Sequence, residues 1–447
     1  MRTLLLAAAS IVLLGTPAVV SAQEEPPDED AGHGGHPAPA HSPAPAEPPP
    51  TLFQSDMGLM AGTTPRDPMV GMAMPDWSTM TVGIVRLLWN RQGGPSGDEE
   101  VESSNWGMVM AQRDVGAGRL TLMAMLSAEP ATVPDASPQL FQTGETLDGR
   151  PLVDRQHAHD LFMNLSVTYR QGLGEAAAWW AQAALRGEPA LGPTTFMHRA
   201  SAGENPTAIL GHHQQDATHI TDTVLTLGGG WQWLSLEASA FHGEEPDEGR
   251  WDIDPGMPDS VSVRARVRLE DGWSGQASWG FLMEPEALEE GDVRRTTASL
   301  HYGERGDRAL AASFVWGRNR EEHGTFDSWL LEGAWQATRR DHLYARAERV
   351  ERPTNLLLTK ELSGDEHGDH AHVSAVGALT AGYLRELATF RDVRWLDQLD
   401  IGLGGDVTFY DVPAELHGAY GESPVSAHVF ARLRWGVPHG SGGAPHH

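Results

Sequence analysis

Residues 261–269 run Val261-Ser262-Val263-Arg264-Ala265-Arg266-Val267-Arg268-Leu269. Apolar side chains take every odd position and polar ones every even position. Successive side chains of an extended chain point to opposite faces, so this stretch predicts a strand with one oily face and one wet face. Residues 425–435 repeat the pattern. There Val425, Ala427, Val429, Ala431, Leu433 and Trp435 oppose Ser426, His428, Arg432 and Arg434, with Phe430 breaking the polar side. Residues 399–409 do the same: Leu399, Ile401, Leu403, Val407 and Phe409 against Asp400, Asp406 and Thr408.

Sixteen segments of this kind are expected, at 79–90, 103–114, 118–128, 159–171, 176–187, 216–229, 231–242, 259–270, 273–283, 293–303, 308–318, 326–336, 341–351, 373–387, 399–410 and 424–436. The connections between the early ones alternate long and short. Long strands joined in that way predict an all-β fold, a transmembrane antiparallel up-and-down barrel of sixteen strands spanning 79–436. A soluble propeller or sandwich fits less well, because no motif repeats at a fixed period and the strands are long for a sandwich. An even strand count places both termini on one side, expected to be the periplasm. Tryptophans gather near the expected strand ends as interfacial girdles: Trp89, Trp106, Trp179, Trp180, Trp231, Trp233, Trp273, Trp279, Trp335 and Trp435.

The rest of the chain agrees with an exported membrane protein. Met1-Arg2, the apolar run Leu4–Leu14 and the small residues of Val20-Ser21-Ala22 read as a signal peptide, residues 1–22. Residues 23–78 are a His-, Pro- and Met-rich leader, expected to be disordered and periplasmic, and 437–447 form a short tail. In the leader, His33, His36 and His41 supply imidazole and Met69, Met72 and Met74 supply thioether, a donor set suited to copper capture. The 447 residues include no cysteine, and 61 acidic residues against 32 basic ones give a net charge of −29. These values exclude thiol chemistry and a basic nucleic-acid surface. The expected partners are therefore outer-membrane lipid and lipopolysaccharide, the barrel assembly machinery, and a small solute or metal ion. A mean hydropathy of −0.36 is no argument for solubility, since alternating strands average out to the same value.

Two kinds of site stand out. Arg264, Arg266 and Arg268, then Arg346 and Glu348, then Asp400 and Asp406 fall on polar faces. They are expected to line a pore and to set a transverse field across it. Loop acids, among them Glu244, Glu245, Asp247, Glu248, Glu284, Glu286, Asp365, Glu366 and Asp369, are expected to be solvated outside. The histidines form a second constellation: His157, His159 and Asp160, then His198, then His212, His213, Asp216 and His219. Two imidazoles and a carboxylate brought together could bind a divalent metal or copper ion, and the spacing of three between His213, Asp216 and His219 suits a helical turn. The plainer expectation is that these side chains fold long loops inward by hydrogen bonding. A rim hydrolase is the enzymatic alternative, with Ser166 or Ser201 as nucleophile, and a structural barrel without transport is another.

The blocks Asp154–Leu161 (DRQHAHDL), Gly187–Pro193 (GEPALGP), Phe196–Arg199 (FMHR), Leu210–Ile220 (LGHHQQDATHI) and Phe241–Arg250 (FHGEEPDEGR) resemble a family of uncharacterised bacterial exported proteins. The resemblance covers most of residues 80–436. It implies an outer-membrane barrel and an association with metal resistance. The leader also resembles that of copper-resistance outer-membrane proteins, which implies copper handling.

Overall fold

The structure is a computed structural model that describes residues 77–436 apart from 134, 175, 270–271, 289–290, 305–308, 323, 359–371, 392 and 394–397. The leader donors His33, His36, His41, Met69, Met72 and Met74, the signal peptide, the tail, and the acids Asp365, Glu366 and Asp369 lie outside the described residues. Sixteen strands close into one barrel in sequence order. They are β1 Ser78–Arg91, β2 Glu99–Val115, β3 Gly118–Leu126, β4 Phe162–Leu173, β5 Ala177–Gly187, β6 Thr221–Trp231, β7 Leu234–Phe241 and β8 Ser260–Arg268, followed by β9 Trp273–Leu282, β10 Val293–Glu304, β11 Leu310–Glu321, β12 Gly324–Gln336, β13 Asp341–Pro353, β14 Val373–Arg391, β15 Gln398–Asp411 and β16 Val425–Trp435. All neighbours pair antiparallel, and β1 meets β16 with Gly83 opposite Trp435 and Arg91 opposite Ala427. Closure matters because an open sheet would leave a row of unpaired backbone groups with no water to satisfy them in lipid.

The alternation sorts the side chains as the sequence predicts. Leu227 and Leu331 are 63 % and 58 % exposed on the outer wall, and Val261 and Val263 stand outward beside an inward Ser262 and Arg264. A continuous exposed belt of Leu, Val and Phe of this kind is a surface for hydrocarbon rather than for water. Trp231, Trp233, Trp273 and Trp335 are exposed beside the short connections. Trp106 and Trp180 depart from the expected girdle. Trp180 is buried, and Trp106 packs inward against the His198 ring at 4.8 Å.

The strand ends that flank 116–117, 174–176, 232–233, 269–272, 305–309, 337–340 and 392–397 lie at the end that holds both barrel termini. The strand ends at the opposite end flank the longer segments 92–98, 127–161, 188–220, 242–259, 283–292, 354–372 and 412–424, and Glu321 pairs with Gly324 there. The expected boundary that moves furthest is the start of the sixth strand. The sixth strand begins at Thr221 rather than 216, because residues 212–219 are spent on two short helical turns, His212–Gln215 and Ala217–His219.

Candidate functional site: a histidine-rich plug in the lumen

Sixteen strands enclose a bore wide enough for water unless something fills it. Here the 188–220 loop fills it. No residue from 188 to 220 is exposed. The loop is tied to side chains around the inner wall. Ala190 N donates to Ser239 Oγ on β7 and Gly192 N to Ser278 Oγ on β9, each at 2.8 Å. Arg86 on β1 donates to the Gly203 carbonyl at 2.8 Å, and Arg346 on β13 to the Thr207 and Ala208 carbonyls at 3.1 Å. Asn319 on β11 donates to the His213 carbonyl at 3.1 Å. Arg432 on β16 forms an ion pair with Glu204 of the loop. Wall and plug also touch directly: a Cβ on Gly317 of β11 would lie 2.2 Å from the Gln214 carbonyl oxygen, so only glycine admits the plug there.

Charge inside the plug is matched almost group by group. Arg199 is 2 % exposed and bonds Asp216 Oδ2 at 2.9 Å and Glu332 Oε1 on β12 at 2.7 Å. Arg346 pairs with Glu332 from the other side at 3.2 Å. Buried ions without such partners would be several kcal/mol too costly to keep charged.

These contacts relocate the expected pore lining. Arg264 pairs with Glu237 at 2.9 Å and donates to the Gly192 carbonyl, and Arg266 lies 3.4 Å from the same Glu237. Arg268, nearer the short-turn end, is half-buried. Glu348 accepts from Leu210 N at 2.6 Å. Asp400 accepts from Gln398 and Thr389, and Asp406 from His428 and Tyr344. All seven lie on inward faces, yet the central ones face protein instead of an open bore.

The histidines converge into a chain of rings. His157 and His159 centroids are 6.5 Å apart, His159 and His219 5.4 Å, His219 and His212 5.1 Å, and His212 and His213 5.6 Å. Loop acids orient several of them. His157 Nε2 meets Glu145 at 2.7 Å, His159 Nδ1 meets Glu129 at 2.8 Å, and His212 Nδ1 meets Asp216 at 2.8 Å. His219 Nδ1 donates to the Asp216 carbonyl at 3.1 Å, which leaves its buried Nε2 without a hydrogen-bond partner. Burial holds the His219 and His212 imidazoles below the usual range, so both are neutral with a lone pair on Nε2. For His159 burial opposes the charge, but the Glu129 carboxylate outweighs it and raises the value. Burial, with the His159 charge behind it, pushes His198 down to about 4.

Three sequence expectations change here. Asp160 is no ligand, because Arg186 at 2.9 Å and Arg250 at 3.4 Å occupy it. Asp216 likewise spends both oxygens, on His212, Arg199 and Phe196 N. His213 parts from Asp216 and His219, since its place in the turn aims it away from them, at Glu286 (3.0 Å) and Glu245 (3.7 Å). Those two acids are therefore not solvated loop residues. The three ligand atoms of His213, Glu245 and Glu286 lie within 4.8 Å of one another, which no trio of the histidines does among the described residues. Burial and the Glu286 charge push Glu245 up to about 8. Burial disfavours charge on His213 too, but Glu286 and Glu245 more than compensate and raise it to about 9.

The candidate nucleophiles sit apart from this chain. Ser166 Oγ donates to Asn164, and Ser201 Oγ bonds Ser313 Oγ and Glu332, reaching His301 only through Ser313. Sequence reasoning missed Glu129, Glu145, Arg199, Glu204 and Glu332, whose partners come from distant loops and strands. It also missed a thioether cluster inside the wall, where Met108, Met110, Met125 and Met163 pack with Val82 and Ile220, joined by Met80, Met123 and Met197.

No family model matches the chain, and none of the curated proteins compared matches it. Among solved structures it is similar to in-vitro folded OmpT, an outer membrane protein of Vibrio cholerae, at 10 % identity and a TM-score of 0.46 over 82 % of this chain and 100 % of that one. It is similar to the anion-selective porin from Comamonas acidovorans at 10 % identity, a TM-score of 0.46, and 80 % and 99 % coverage. For Pseudomonas putida OprB the values are 9 % identity, a TM-score of 0.47, and 80 % and 94 %.

Proposed function

We propose that this chain is an outer-membrane barrel with a gated lumen, closed at rest by the 188–220 plug and passing a small polar solute or metal ion when the plug is displaced. The observation that carries this reading is the wholly unexposed plug bonded to inner-wall side chains from β1 round to β16. Many of those contacts are ion pairs and hydrogen bonds, which water can replace as the plug moves. An oily interface would have no such substitute. The outward apolar belt supports lipid and lipopolysaccharide as its surroundings, with insertion by the barrel assembly machinery, and the long-loop end facing outward. Single-channel recording in planar bilayers tests the reading. The intact protein should be silent at low voltage, and a chain with residues 193–216 replaced by a short Gly/Ser linker should give steady conductance steps. Silence of the shortened barrel would overturn it.

A metal ion as passenger is favoured by the neutral imidazoles of His212 and His219, with the Met197 thioether lining the same cavity as His212. Nitrogen and soft sulfur donors together suit copper better than a hard cation. In this reading His157, His159 and His198 extend the path. Flux of Cu(II) against K⁺ through the full-length barrel opened at high voltage, with and without His212→Ala/His219→Ala, measures it: equal selectivity in both would remove metal as the passenger.

A further inference from the structure

From His213, Glu245 and Glu286 we infer a binding site for a borderline divalent cation, of which Zn²⁺ is the type, that fastens three separate loops across the plug. His213 comes from the plug, Glu245 from the 242–259 loop and Glu286 from the 283–292 loop. The site rests on the gated-barrel reading only for its consequence, since cation binding is measured directly.

The geometry is close to that of an assembled ligand set. Ligand atoms about 2.0–2.2 Å from a tetrahedral Zn²⁺ stand roughly 3.3–3.6 Å from each other. His213 Nδ1 is 3.7 Å from Glu245 Oε1 and 3.0 Å from a Glu286 carboxylate oxygen, so these two contacts need to shift by only a few tenths of an ångström, and all three ligand atoms already lie within 4.8 Å of one another. The second Glu286 oxygen, Oε2, is buried on a side chain 5 % exposed; it lies 3.0 Å from His213 Nδ1 but accepts no hydrogen bond. A buried carboxylate oxygen without a hydrogen bond is costly, and a cation held between it and the imidazole satisfies it. Gly144 closes over this point with φ +130°. A Cβ there would lie 2.8 Å from Glu286 Oε2 and 2.9 Å from His213 Cε1. The chain thus keeps a side chain out of the space beside the donors.

The charge balance fits a dication. Once the incoming cation displaces their protons to solvent, two carboxylates and an imidazole offer −2 in total. Arg295 approaches Glu286 only to 3.9 Å, with Nε given to Asn319, and neither of its terminal nitrogens has a hydrogen-bond partner. Glu145 is committed to His157 and Arg250, so it does not complete the set, and water would fill the fourth position. One nitrogen and two carboxylates select Zn²⁺, Co²⁺ or Mn²⁺ over Cu(I), which favours sulfur. This separates the site from the imidazole–thioether region proposed for the passenger.

Isothermal titration of the detergent-purified full chain with Zn²⁺ tests the inference, with Co²⁺ absorption as a second readout. Glu245→Gln keeps the shape of the side chain and should weaken binding at this site at least tenfold. Glu245→Gln/Glu286→Gln should abolish it, whereas His159→Ala/His219→Ala should leave it intact. Unchanged affinity and stoichiometry in the double glutamine variant would overturn the assignment. If that variant fails to fold, unchanged affinity in Glu245→Gln alone would do so. A barrel that binds Zn²⁺ here yet never conducts after plug removal would sink the gating proposal and leave this site standing.

Discussion

The wall and the plug of this barrel are buried by opposite means. The wall is two-faced: along β8, Val261 and Val263 are about half exposed to the surroundings while Ser262 and Arg264 turn inward. Its register is fixed by the partition of oil from water, and each strand reads out the rule locally. The plug has no such period. Asp216, Arg199, Glu204 and His212 are each nearly inaccessible, and their hydration is replaced by specific partners such as Glu332 on β12 and Arg432 on β16. The difference teaches that the wall tolerates exchange of one apolar residue for another. The plug depends on pairwise matches that fail when one member is lost.

Removal of the plug should have the largest effect, turning a silent barrel into a conducting one while the wall keeps its heat-modifiable migration on gels. The loss of one matched ion comes next. Arg199→Ala takes one partner from each of two buried carboxylates, leaving Asp216 with His212 and Glu332 with Arg346, and should lower stability by about 3 kcal/mol, read by denaturant unfolding in detergent. The same variant should expose 188–220 to added protease, and equal protection would show that the match does not hold the plug. Gly317→Ala puts a methyl against the Gln214 carbonyl and should cost roughly 1–3 kcal/mol, again with faster plug proteolysis and an intact wall.

Acid sensitivity sharpens the contrast further. His198 is held at about 4 in the folded chain against about 6.5 unfolded, so the unfolded chain binds the extra proton in that window. Its neutral form therefore favours folding fully above pH 6.5, and that stability is lost as pH falls from about 6.5 to about 4. His198→Gln should flatten this part of the unfolding profile. An identical slope in both proteins would remove His198 as the cause. The smallest effect belongs to the short-turn rim: Arg119→Ala breaks a solvent-exposed 2.9 Å pair with Asp114 and should change stability by less than about 1 kcal/mol.

The sequence by itself determined the strand count, most strand ends to within a few residues, and which face of each strand is apolar and turned outward. Those properties follow from a period of two within ten or so neighbouring residues, and nothing distant can overrule them without exposing oil to water. It also singled out the histidine blocks and the residues of the inner face. Only the tertiary structure decided that the lumen is filled, that His213 parts from Asp216 and His219 to face Glu245 and Glu286, and that Asp160 serves Arg186. Those outcomes depend on which carboxylate lands beside which imidazole or guanidinium across gaps from 26 residues, for Asp160 and Arg186, to 228, for Glu204 and Arg432. A buried charge chooses its partner by distance in space, for which spacing along the chain holds no rule.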